Sequence, residues 1–307
     1  MNIWHEIQKQ LEQGRSLYLL TVIQSEGSAP GRRGFKMLVA NDGTLCGSIG
    51  GGLMEFNMVE EAKTLLAAKI IQQHTYHQVH SGESKSSSGM ICSGSQTIAF
   101  NHLSKGDLML VNVCAQSPQM LEFSHNGIKV IDRDNDEYCH IKFEDFWCYS
   151  ELINQKHVAH IFGAGHVSVP TSKLLKKLDF SVNLYDNRAA INTFEDNQWA
   201  DTKALIDYKQ LLDQVEIKKS DYVLLMTHKF TEDKLLLSQL LKLSVKYLGV
   251  LGSENKIKVM FKALLNEDFS QEQLDTVRAP IGINIHSQST QEIAVSIAAE
   301  IIKLKNQ

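Results

Sequence analysis

The stretch His160-Ile161-Phe162-Gly163-Ala164-Gly165-His166-Val167-Ser168 decides how the second half of this chain is read. An apolar run from His157 to Phe162 enters a glycine turn, and Val167, Leu174, Leu175 and Leu178 leave it at helical spacing. A buried strand is therefore expected before the turn and a helix after it. Backbone N–H groups at such a helix N-terminus carry partial positive charge and attract anions. Gly163 permits the tight turn and Gly165 lets a phosphate approach the backbone. Ser168 stands at the third position of G-x-G-x-x-G, where a small residue still allows close packing of helix on strand. The next apolar strand, Val182-Asn183-Leu184-Tyr185, ends in Asp186, where this motif places a ribose-binding acid. Strand, turn, helix and acid in register predict a dinucleotide-type fold.

The same alternation continues outward from this stretch. A short helical piece is expected near Phe194 to Trp199, then strands around Lys203 to Ile206 and Tyr222 to Met226, the latter ending in Thr227-His228. A helix from Thr231 to Leu243, a strand from Tyr247 to Leu251 and Gly252-Ser253 before another helix complete a doubly wound parallel sheet. The loops at Gly163 to Gly165, Asp186 to Arg188, Thr227-His228 and Gly252-Ser253 then fall on one sheet edge and should line a common crevice. Ser289-Thr290-Gln291-Glu292 is a capping box for a final helix. Its apolar stripe, Ile293, Ile297, Ala298, Ile301 and Leu304, reads as core packing, with a homodimer face as the other use.

Toward the N-terminus, Trp4, Ile7 and Leu11 share a helical face that Gly14 terminates, and Leu17 to Ile23 is an apolar strand. A loop with Ser28, Pro30, Arg32 and Arg33 separates it from a strand at Phe35 to Val39, which the turn Asn41-Asp42-Gly43 closes. A second glycine cluster, Gly47-Ser48-Ile49-Gly50-Gly51-Gly52, opens a helix whose expected face is Leu53, Phe56, Val59, Ala62 and Leu66. Three adjacent glycines suit a backbone that approaches a ligand or a neighbouring segment, or a turn that packs the helix on its sheet. His74, His77 and His80 lie in a strand-like segment, where His77 faces away from the other two, so they read as surface residues and not as metal ligands. Cys92 sits in a Met-Ile-Cys-Ser-Gly loop after the polar run Ser81 to Gly89. It reads either as an accessible thiol or as a small half-buried hydrophobe. Short strands are expected at Leu108 to Val113, Met120 to Phe123, Ile128 to Ile131 and Tyr138 to Phe143. The resulting division is an N-terminal mixed α/β domain over 1–149, a linker over 150–156 and a Rossmann-like domain over 157–307.

At 307 residues, with 43% hydrophobic and 21% charged residues, the composition is that of a globular protein long enough for two domains. The net charge of -4 argues against a nucleic-acid or anionic-membrane binder, and no run approaches the roughly 20 apolar residues of a membrane span. Five scattered cysteines without C-x-x-C and an N-terminus without a signal-peptide layout suggest reduced thiols in the cytoplasm.

Taken together, the motifs resemble the XdhC/CoxI family, the maturation factors of molybdenum hydroxylases such as xanthine dehydrogenase. In the first half the resemblance rests on Glu26-Gly27-Ser28-Ala29-Pro30, Gly34 with Lys36-Met37, Gly47 to Gly52 with Glu55, and Met90-Ile91-Cys92. In the second it rests on Gly163 to Val167, Asp186-Asn187-Arg188, Thr227-His228 with Asp233, Tyr247 to Ser253, and Ala279-Pro280-Ile281-Gly282 followed by Glu292-Ile293-Ala294. The chain departs from the family pattern at Leu53, Ser93, Lys229, Phe230, Glu254 and Asn255. The resemblance implies an XdhC-type N-terminal domain, a C-terminal Rossmann domain, and a chaperone instead of a turnover enzyme. Such a protein would bind molybdenum cofactor, as molybdopterin or its dinucleotide form, protect it during sulfuration and help insert it. Its implied partners are an apo-hydroxylase of xanthine dehydrogenase type and a cysteine desulfurase.

On that reading Gly163, Gly165, His166 and Val167 receive the phosphate, Arg32 and Arg33 add charge, and Cys92 is a soft ligand near the metal. Ser28, Gly50, Gly51, Gly52, Glu55, Asp186, Arg188, Thr227, His228, Gly252 and Ser253 complete the expected cofactor-binding set. The rival is an NAD(P)-dependent oxidoreductase in which Asp186 or Arg188 reads the ribose and His166 or His228 is the acid–base group. No paired Tyr–Lys or His–Asp spacing supports it. A third reading is a scaffold whose Rossmann half only dimerises.

Overall fold

The computed structural model describes residues 2–80, 94–132, 139–143 and 146–306, with backbone alone at His80 and 139–143. The chain forms two compact units, Met1–Gln155 and Lys156–Gln307.

The first unit contains, in order, α1 (Ile3–Glu12), β1 (Leu17–Gly27), β2 (Lys36–Ala40), β3 (Leu45–Gly47), α2 (Gly52–Ala67), β4 (His74–His80), β5 (Gly94–Leu103), α3 (Leu108–Gln116), β6 (Gln119–Ser124), β7 (Gly127–Val130), β8 (Cys139–Phe143) and β9 (Phe146–Ile153). An antiparallel sheet in the order β3-β2-β1-β5-β4 is covered on both faces, which is why β1 reads as a continuous apolar run and not as an alternation. Tyr18, Leu20 and Val22 face α2, where Met58, Val59, Ala62 and Leu65 pack. Leu17, Leu19 and Ile23 face α1, α3 and a second antiparallel sheet, β7-β6-β9-β8, whose Phe123 and Tyr149 fill the same core.

Three expectations change here. Residues Leu108 to Val113 are helix, not strand: Ser104 and Asp107 form a reciprocal capping box in a 3₁₀ turn (Lys105–Asp107) that starts α3. Six residues whose only polar member is Asn112 fix no period of their own, so the cap decides their fate. On α2 the buried face begins a turn later than expected, leaving Leu53 and Phe56 44% and 59% exposed. The expected linker over 150–156 is strand as far as Ile153, because Gln119 to Ser124 pair with Cys148 to Ile153.

The second unit contains β10 (His157–Phe162), α4 (Ser168–Lys177), β11 (Phe180–Asp186), α5 (Asn192–Glu195), β12 (Thr202–Leu205), α6 (Leu211–Gln214), β13 (Tyr222–Leu225), α7 (Phe230–Leu240), β14 (Tyr247–Val250), α8 (Glu254–Leu265), α9 (Gln271–Asp275) and α10 (Thr290–Lys305). Its sheet is parallel throughout, in the order β12-β11-β10-β13-β14. Chain order reverses between β10 and β13, and helices cover both faces, as expected of a doubly wound Rossmann-like sheet. One face packs Ile161, Val182 and Leu224 against α4 and α10, where Leu175, Ile297 and Ile301 are fully buried. The other packs Phe162, Val223 and Leu225 against α7 and α8 through Leu236, Leu240 and Met260. Among the described residues no helix is long and apolar enough to cross a membrane.

Candidate functional site

In the second unit the expected loops converge through a chain of hydrogen bonds at the C-terminal edge of the sheet. Gly163 has φ +107°, and a Cβ there would stand 2.4 Å from the Met226 carbonyl oxygen, so only glycine lets the β10 turn seat against the end of β13. The next amide, Ala164, donates to Asp186 Oδ2 at 2.7 Å. Asp186 is 1% exposed and also accepts from the Arg188 amide and Nε on Oδ1, and from Arg188 Nη2 on Oδ2. Burial pushes its carboxyl up, but Arg188 and the two amides outweigh that and hold it below the usual carboxylate range.

Its four acceptor positions are thus filled by the protein. A ribose diol would have to displace Arg188 to reach it, which weighs against the nicotinamide reading.

Beyond Ala164 the turn is open. Ser168 closes back on the Gly165 carbonyl with both amide and hydroxyl, yet the amides of Gly165, His166 and Val167 have no acceptor among the described residues. Gly165 has nothing within 4 Å of where a Cβ would stand, and Val167 caps α4 without a side-chain hydrogen bond. Three unpaired amides at the start of a ten-residue helix, with open space beside Gly165, are the donors that an anion would need here.

The remaining loops are tied to the same edge. Asn187 donates to Glu232 Oε1 at 3.0 Å, joining the loop after β11 to the first turn of α7. His228 Nδ1 lies 3.5 Å from the other Glu232 oxygen. Thr227 donates its amide to Asp233, which is fully buried. Asp233 pairs with Lys256, which also reaches the Leu251 carbonyl and so ties in the Gly252-Ser253 loop. The Ser253 hydroxyl caps α8 by accepting from the Lys256 amide. The four loops therefore meet, but Thr227 and Ser253 are spent on holding the edge together, while the amides of Gly165, His166 and Val167 stay unpaired among the described residues. Glu232 and Lys256 carry no signal in the sequence, because Asn187 reaches Glu232 and Lys256 reaches Asp233 only once the fold brings the loop after β11 and α8 up to α7.

The first unit's glycine cluster is built differently. Glu55 Oε2 accepts from the Ser48 hydroxyl at 2.6 Å and from the amides of Ile49 and Gly51 at 2.8 and 3.0 Å. The Gly50 amide donates to the Ser48 hydroxyl oxygen. Burial raises the Glu55 carboxyl, but these donors outweigh it and hold it below the ordinary value. A Cβ at Gly50 would lie 2.5 Å from the Gly31 nitrogen, and one at Gly31 would lie 2.3 Å from the Ile49 carbonyl oxygen. Of the readings open from sequence, close approach to a neighbouring segment fits: Gly50 and Gly31 exist to let two loops touch. Gly51 and Gly52 complete the positive-φ turn into α2.

Next to this contact, Ser28, Arg32 and Arg33 are exposed, and neither arginine has an ion-pair partner among the described residues. Lys36, in contrast, is paired with buried Glu151, which also accepts from Tyr149. Cys92, expected near the metal, lies outside the described residues. Among the described residues no group of three or more His, Cys, Asp or Glu gathers as a metal site. Cys114 is a core thiol that burial pushes up to about 12.

Comparison with known proteins agrees with this architecture. Residues 160–301 match the model of the XdhC Rossmann domain, and residues 10–77 match that of the XdhC and CoxI family. A probable xanthine dehydrogenase subunit of Bacillus subtilis is 24% identical over 96% of the chain and 95% of its own length. An uncharacterized protein of Escherichia coli, YqeB, is 23% identical over the full chain, which spans only 47% of that relative. The crystal structure of a xanthine dehydrogenase from Bacillus halodurans superposes with a TM-score of 0.73 at 24% identity, covering 99% of this chain and 96% of that one. At that identity the likeness speaks for the fold.

Proposed function

The chain belongs to the XdhC and CoxI family, and from that premise we propose that it serves the maturation of a xanthine dehydrogenase-type molybdenum hydroxylase. In this reading its cargo is molybdenum cofactor, which it shields while a cysteine desulfurase supplies sulfur and then delivers to the apo-hydroxylase. The observation that carries the reading is the open turn at Gly165, His166 and Val167. Molybdopterin ends in a phosphate, and three unpaired amides at a helix N-terminus match that group without any side chain. Arg188, fixed on Asp186, neutralises the carboxylate that holds the first amide of the turn, so that charge does not repel a phosphate there. Cys92 is kept as the proposed soft ligand near the metal, with Ser28, Arg32 and Arg33 as further contacts to the cargo. No acid–base pair is needed for such a carrier.

The test is Gly165→Asp. A Cβ at this position meets nothing within 4 Å, and an aspartate there can turn its carboxylate onto the Val167 amide two residues on, one of those the phosphate would use. Cofactor retained by the purified protein, measured by fluorescence of the oxidised pterin, should fall at least about tenfold, which is about 1.4 kcal/mol of binding. Retention equal to that of the parent would sink the phosphate assignment. Cys92→Ala is expected to keep pterin binding and to lose delivery of active cofactor to the apo-hydroxylase.

A further inference from the structure

The second unit carries a cavity of about 270 Å³ at the N-terminal end of β14, on the sheet edge opposite the glycine turn. Leu241, Leu243, Leu248 and Leu304 supply its apolar wall, and Lys246 and Arg278 supply its charge. No aspartate or glutamate lines it, and neither cation has an ion-pair partner among the described residues. The one carboxylate tied to a lining residue is Glu300, which accepts from Tyr247 Oη at 2.6 Å and from the Gly282 amide at 2.8 Å. Ser244 and Val245, also in the lining, have amides without an acceptor among the described residues, and the Ser244 hydroxyl is equally unpaired there.

Two cations, further unpaired donors and no acid at one concavity select an anion. A bare inorganic anion would leave the leucine wall unused, and a neutral apolar molecule would leave the charge unused. We propose that this cavity binds a small organic monocarboxylate with an aliphatic body, the carboxylate held by Arg278 and Lys246 and the chain laid on Leu241, Leu248 and Leu304. Arg278 is well placed for this task. Its backbone is fixed on β14 by the Arg278 amide to the Leu248 carbonyl at 2.8 Å and the Val250 amide to the Arg278 carbonyl at 2.9 Å. Its backbone is thereby fixed at the rim while its guanidinium stays unspent, and that group is a planar fork suited to a carboxylate.

Calorimetric titration of the full chain with hexanoate, hexan-1-ol and inorganic phosphate tests this. Hexanoate should bind with a dissociation constant of about 1 mM, in keeping with a ligand of so few atoms, and at least about tenfold more tightly than either control. Arg278→Gln should weaken hexanoate at least about tenfold, and Leu304→Trp, which fills the cavity and leaves both charges, should abolish binding. Lys246→Gln, altering an exposed side chain, takes the place of either variant if its melting curve shows a lost fold. The proposal is overturned if hexanoate fails to bind at about 20 mM, well above the expected constant. It is equally overturned if phosphate or the alcohol binds as well, or if the variants that fold bind hexanoate like the parent.

Discussion

The two glycine turns of this chain look alike in sequence and differ in what their amides meet. At Ile49 to Gly51 all three amides are taken, two by Glu55 and one by the Ser48 hydroxyl. At Ala164 to Val167 only the first is taken, by Asp186, and three remain open among the described residues. The placement of the acid makes the difference. Glu55 lies in the first turn of the helix that its own loop begins, so it folds back over the whole loop. Asp186 reaches the other turn from the neighbouring strand, touches one amide and spends its other acceptor positions on Arg188. A glycine-rich entry to a helix is thus an anion site only when no local carboxylate has already occupied it.

The largest expected effect separates a glycine held by close packing from one held by its backbone angles alone. Gly163→Ala sets a Cβ against backbone at 2.4 Å with φ +107° and should destabilise the second unit by about 4 kcal/mol, visible as a collapsed urea midpoint. Gly51→Ala, with open space around it but at φ +78° and ψ -175°, angles that essentially only glycine adopts, should cost less, about 2 kcal/mol. If both cost the same, close packing is not what distinguishes the turns.

Next come the two carboxylates. Asp186→Asn keeps one acceptor for Ala164 but strips the charge from beside Arg188. With Asp186 buried and Arg188 about one-third exposed, the loss should be about 2 to 3 kcal/mol, discounted from a fully buried pair. Glu55→Gln should cost less, about 1 to 2 kcal/mol, because the site is part-exposed and water can replace lost bonds. The reverse order in denaturant titration would mean that Glu55 and not Asp186 is the more deeply built clamp.

How much of this was legible in the residues follows from the range of each interaction. The Rossmann-like half was readable because its strands, turns and caps are local, and Asp186 falls where the strand period puts it. Its use was not readable, since one carboxylate position can accept a ribose or an amide, and Ala164 is 22 residues away. Glu55 stands close to its glycines in the sequence, but its closure over them depends on how the helix starts. Leu108 to Val113 shows the opposite failure: the deciding cap, Ser104 with Asp107, stood next to it in the sequence, and the apolar run outweighed it. His160 and Asp221 make a buried His–Asp contact that no spacing rule finds, because 61 residues separate them.

That contact gives the smallest effect and a difference between the strands that enter the turns. The strand before the closed turn, Leu45–Gly47, carries no histidine, whereas the strand before the open turn carries His160, 2% exposed. Its Nε2 lies 3.1 Å from Asp221 Oδ2 and its Nδ1 lies 3.3 Å from Tyr185 Oη. Burial pulls the imidazole below its ordinary value, more than the hydrogen bond and charge of Asp221 raise it, so the native ring is neutral at pH 7. The unfolded chain takes up a proton near pH 6.5 that the native ring refuses. Stability is therefore full above about 6.5 and falls with acidification, by at most about 1.4 kcal/mol per pH unit, until the native ring also titrates. His157 in the same unit shifts the same way through burial, Lys305 and Lys246, so acid lability alone does not identify the group. His160→Gln does: its urea midpoint should vary less between pH 7 and pH 5.5 than that of the parent, while His157→Gln retains the share due to His160. Equal slopes in parent and His160→Gln would remove His160 as the titrating group beneath the open turn.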